Sequence, residues 1–141
     1  MLRIIAVLLV VAVILIALKS RRGAEMKHIA DGKGLIGSLE GDQKVLAELR
    51  KAGGDLAKPT EVNYYLYFHD RTAADSAAAH AGAGPLVATV RRAGDDSAWL
   101  CFVSGTMVPS EAAIHAHTVR LVEIAQRYGG EYDGWEAALA R

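Results

Sequence analysis

The chain has 141 residues, 52% of them hydrophobic and 23% charged, with three prolines and a formal net charge of zero. That composition excludes a disordered or low-complexity protein and fits one domain of ordinary size with an appendage. The neutrality conceals an asymmetry, because residues 1–41 hold six basic and three acidic side chains while residues 42–141 hold ten and thirteen. A mildly acidic domain has no general attraction for phosphate backbones, which argues against direct nucleic-acid binding.

The single cysteine, Cys101, excludes an intrachain disulfide and a cysteine-built zinc site. It lies in the apolar run Trp99-Leu100-Cys101-Phe102-Val103 with no base beside it in sequence, so it reads as a small packed hydrophobe.

Ile4 to Leu18 is an uncharged apolar run, extended to Leu2 if Arg3 snorkels. A membrane-spanning helix needs about 20 apolar residues and at least about 17, so the run is short but workable. Lys19, Arg21 and Arg22 follow it directly. They act as a stop and disfavour the competing reading, a cleaved signal peptide. With Lys27 they outnumber Arg3, which places the C-terminal domain on the cytoplasmic side of a single-pass anchor. Residues 1–22 therefore read as anchor and basic stop. Residues 23–41, rich in glycine and without an apolar period, read as a linker. Gly32-Lys33-Gly34 has neither the spacing nor the preceding strand of a phosphate loop.

Residues 42–141 read as the folded domain. Asp42 opens a helix whose apolar stripe is Val45, Leu46, Leu49 and Ala52, and Gly53-Gly54 stops it. Val62, Tyr64, Leu66 and Phe68 alternate with Asn63, Tyr65, Tyr67 and His69, the period of a strand. Asp70 is suited to cap a second helix carrying the stripe Ala73, Ala74, Ala77, Ala78 and Ala81. Two strands follow, Leu86–Arg92 and Ala98–Val103, about the turn residues Gly94-Asp95-Asp96. Ser110 caps a long helix to about Tyr128, Gly129-Gly130 ends it, and residues 131–135 form a short edge strand. The order β-α-β-β-α-β after a leading helix predicts an α+β fold of the ferredoxin-like split βαβ type, two helices on one face of an antiparallel sheet. The other face would be open, with some of Tyr65, Tyr67, Trp99 and Trp135 on it.

Catalytic constellations are sparse. His115 and His117 stand two apart on a helix and do not share a face, which disfavours a joint metal site. His117 falls on the core stripe and reads as a hydrogen-bonded core-edge histidine. His69-Asp70 would suit an acid–base pair, but a helix cap beside a surface histidine explains it better. The tail Gly129-Gly130-Glu131-Tyr132-Asp133-Gly134-Trp135-Glu136 places three carboxylates around two aromatics. It supports a structural or a binding reading better than a catalytic one.

That tail resembles the signature end of the ribonuclease E inhibitor family, the regulators of ribonuclease activity B. Other segments resemble it in the same order: Asp42 to Asp55, Asp55-Leu56-Ala57-Lys58-Pro59 to Tyr67-Phe68, Trp99-Leu100-Cys101, and Met107-Val108-Pro109 with Ile114-His115. The similarity spans about residues 42–136. It implies a non-enzymatic ferredoxin-like domain without a cofactor or metal, which binds a protein partner, ribonuclease E or a related RNA-degradation component. The candidate residues for that contact, from the tail and the aromatic face, are Glu131, Tyr132, Asp133, Trp135, Glu136, Tyr65, Tyr67 and Trp99. The alternatives are a membrane-proximal binding module with no RNA connection, and a small hydrolase using His69, Asp70, His115 or the tail carboxylates.

Overall fold

A computed structural model describes residues 35–94 and 97–141. The first helix, α1 (Leu39–Lys51), is capped by Ser38, whose side chain accepts from the Gly41 amide at 3.0 Å. It therefore begins before Asp42, inside the stretch expected to be linker. The correction has a local cause, a serine cap hidden among glycines, where no apolar period announced a helix. Leu46 and Leu49 are buried as expected, and Asp42 is buried with them.

Strand β1 (Thr60–Phe68) follows, then α2 (Arg71–Ala81), with Asp70 accepting from the Thr72 amide at 2.7 Å. The buried alanines Ala74, Ala77 and Ala81 let α2 lie close on the sheet. Strands β2 (Val87–Arg92) and β3 (Trp99–Met107) form a hairpin. Helix α3 (Glu111–Arg127) starts at the Ser110 cap, and β4 (Glu131–Ala137) closes the domain.

The four strands lie in the order β2-β3-β1-β4, and every neighbouring pair is antiparallel. Strands β1 and β2, joined by α2, are thus parallel but separated by β3. Strands β3 and β4, joined by α3, are likewise separated by β1. This is the order that the β-α-β-β-α-β reading requires. Val62, Tyr64, Leu66, Phe68, Cys101 and Val103 turn inward to the helices and are almost wholly inaccessible. Arg120 of α3 donates to the His80 and Ala81 carbonyls at 2.9 and 2.8 Å, satisfying the otherwise open C-terminal end of α2.

No helix among the described residues is long and apolar enough to cross a membrane. The Ile4–Leu18 run, read as an anchor, lies outside the described residues, as does most of the glycine-rich stretch.

Candidate interaction surface

The alternation of β1 divides the expected contact residues between two faces. Tyr64 pairs with Trp135 and Leu66 with Tyr132, so Trp135 and Tyr132 turn inward beside the buried residues of β1. Both are buried, at 3% and 9% exposure, and lie in the core rather than on a free surface. Trp99 pairs with the inward Phe68 at the end of the sheet, where it packs against the core margin. The Arg71 and Arg92 guanidinium carbons stand 5.2 and 4.4 Å from its ring centroid. Tyr65 and Tyr67, by contrast, lie on the face without helices, with Glu131 and Glu136 in register beside that row. Asp133 shares a bulge with Gly134, the two standing opposite the single residue Tyr65.

The inward aromatics converge on a residue that sequence reasoning read only as a helix start. Asp42 is 2% exposed, yet its carboxylate is surrounded by donors. One oxygen accepts from Trp135 Nε1 at 2.9 Å and from Thr118 Oγ1 at 3.1 Å. The other stands 2.9 Å from His115 Nδ1. The carboxylate thus joins α1 to α3 and β4, and its charge is met by three polar groups, as a buried charge requires. The signal for it was available: Asp42 is four and seven residues before Leu46 and Leu49, on their stripe.

The buried phenols nearby reflect the same setting. Burial first, and then the Asp42 charge, push the Tyr64 phenol far above its ordinary range. Tyr132 is raised likewise, chiefly by burial. His117 stands edge-on to Tyr64 with centroids 6.2 Å apart, and burial followed by the Arg120 charge holds it below the usual imidazole range. The hydrogen-bonded histidine expected at the core edge is therefore His115, whereas His117 is an aromatic neighbour.

Three of the side chains a hydrolase could use are engaged elsewhere. Asp70 caps α2, His115 is held by Asp42, and Glu136 accepts from the Tyr65 hydroxyl. Among the described residues no three histidine, cysteine, aspartate or glutamate side chains are grouped to hold a metal ion.

The open face is built from alternate residues of all four strands. Strand β1 contributes Glu61, Asn63, Tyr65 and Tyr67. Registered beside them are Leu100, Phe102, Ser104 and Thr106 of β3, and Val87, Thr89 and Arg91 of β2. Tyr65 and Phe102 meet edge to face with centroids 5.5 Å apart, and the Arg91 guanidinium carbon stands 5.0 Å from the Phe102 centroid. Tyr65 donates to Glu136 Oε1 at 2.5 Å, while Oε2 is buried without a hydrogen-bond partner among the described residues. Burial, and secondarily that bond to Glu136, raise the Tyr65 phenol.

No curated protein is similar enough to the chain to count as a match. Residues 39–137, most of the chain, match the family described as Regulator of ribonuclease activity B. The match runs from the first turn of α1 to the last residue of β4, and so takes in both Asp42 and the Trp135 that it holds. The chain belongs to the RraB family of regulators of ribonuclease activity.

Proposed function

We propose that this protein is a non-enzymatic regulator that binds a ribonuclease of the E type while held at the cytoplasmic membrane face by its N-terminal segment. The observation that carries the reading is the family match across residues 39–137. Two features support it. Asp70, His115 and Glu136, three of the side chains a hydrolase could use, are committed to a cap and internal hydrogen bonds, and among the described residues no helix covers the aromatic sheet face. The anchor rests on the apolar run Ile4–Leu18 and the basic residues after it.

The test is binding and inhibition with defined components. The full chain in detergent, tagged after Arg141, is mixed with purified ribonuclease E, and cleavage of a labelled RNA is followed. Retention of the enzyme and slower cleavage are expected. No retention, with cleavage unchanged in excess of this chain, overturns the reading. The membrane part is checked separately by a reporter fused after Arg141. A reporter active only outside the cytoplasm would favour a membrane-proximal module with no RNA connection, since an external domain cannot meet a cytoplasmic ribonuclease.

A further inference from the structure

The open sheet face combines three features that point to one kind of partner. Aromatic rings occupy both central strands, with Tyr65 and Tyr67 on β1 and Phe102 on β3. Carboxylates line one side, Glu61 on β1 and Glu131 and Glu136 on β4, while among the described residues Arg91 is the only basic side chain that the strands place there. Finally, the chain already sets a guanidinium on this surface, Arg91 over Phe102. At the far end of β2, Val87 is 66% exposed and extends the apolar area.

Glu136 adds an independent observation. It is 6% exposed, and the Tyr65 hydroxyl satisfies one oxygen. The other has no donor among the described residues. Buried carboxylate oxygens are normally hydrogen-bonded, so this one lacks a cationic or N–H partner. We propose that the open sheet face is the docking surface for an arginine-bearing cationic segment of the protein partner, an inference that rests on the regulator reading above. Arginine fits better than lysine, because its flat guanidinium stacks on aromatic faces and also bridges carboxylates. Single-stranded RNA is the rival occupant, since aromatics on the central strands of a four-stranded sheet can stack bases. The three carboxylates repel a phosphate backbone and decide against it.

The test uses the full chain in detergent and a fluorescein-labelled peptide of about 8 residues alternating Arg and Leu, long enough in extended form to cross four strands. The comparison probes are the same peptide with Glu for Arg and a labelled oligouridine. Fluorescence anisotropy is read for the parent, the double variant E61Q/E131Q, Y67S and the control E123Q on the exposed side of α3. Glu61, Glu131 and Glu123 are all exposed, so these changes leave the core intact. The arginine peptide alone is expected to bind, with E61Q/E131Q and Y67S each weakening it about tenfold and E123Q by less than about twofold. Preference for oligouridine, equal loss in E123Q and E61Q/E131Q, or no peptide binding overturns the proposal. The two readings also separate. If E61Q/E131Q still retains and inhibits ribonuclease E, the docking surface falls and the regulator reading stands. If the peptide binds and ribonuclease E does not, the reverse holds.

Discussion

Asp42 shows how a single buried charge organises this domain. Replacing it by Asn keeps the volume but withdraws the charge from the groups around it. D42N is expected to lose about 2–4 kcal/mol of stability, the range for breaking a buried, hydrogen-bonded charge, and urea denaturation measures it. Removing the Trp135 donor with W135F should cost less, about 1–3 kcal/mol. The double variant should fall short of the sum, because D42N weakens the same bond that W135F removes. Burial pushes the Cys101 thiol from 9.0 to about 11. The folded state therefore keeps that proton when the unfolded chain has lost it. The stability it contributes is present below pH 9.0 and declines as pH rises towards 11. Tyr64 and Tyr132, raised by burial, act in the same direction. Urea midpoints measured between neutral and strongly alkaline pH should fall accordingly, and iodoacetamide at pH 8 should label Cys101 only in denaturant. The packed state of Cys101 was legible from its apolar run. The placement of Trp135 was not. Residues 132 and 135 are an odd number apart and would face opposite ways in a regular strand. The extra residue at the Asp133–Gly134 bulge turns both inward.

At the scale of elements, the adjacent glycines after α3 have different tasks. Gly129 has φ 69°, and Gly130 donates its amide back to the Ala125 carbonyl at 2.8 Å, the closing bond of a left-handed helix end. A Cβ on Gly129 meets nothing within 4 Å, but one on Gly130 would stand 2.3 Å from Phe68 Cε1 and 2.7 Å from the Tyr67 carbonyl oxygen. G129A should therefore cost about 1 kcal/mol for the backbone alone. G130A should cost more, about 2–3 kcal/mol, because the clash includes backbone and a core ring, and thermal unfolding of the two variants orders them. The caps Asp70 and Ser110 and the stop at Gly129-Gly130 were readable because each lay beside a clear apolar period. Strand β3 runs on to Met107 beyond the expected end at Val103, because Ser104-Gly105-Thr106 carries no hydrophobic signal. Its pairing with β1 decides its length instead.

For the whole molecule, the order of elements sufficed to anticipate the sheet, since few arrangements bury two alternating helices on one face. Which aromatics face outward required the register, since each strand offers rings on both sides. The last strand is integral to the core: β4 supplies Tyr132 and Trp135 and pairs with the central strand β1. A chain ending at Gly130 is accordingly expected to lose its cooperative urea transition, and a sharp transition at the parent midpoint would count against this placement of the core.

The bond from Trp135 to Asp42 spans 93 residues. During synthesis the ribosome must therefore add nearly the whole domain before Asp42 meets its indole donor, an interval of about 5–20 s at ordinary elongation rates. Through that time α1 carries a carboxylate that cannot yet be buried with its partners, and the nascent domain is exposed to proteases and chaperones. Emergence of Trp135, rather than formation of the first helix, is then the event that lets the Asp42 carboxylate be buried with its partners.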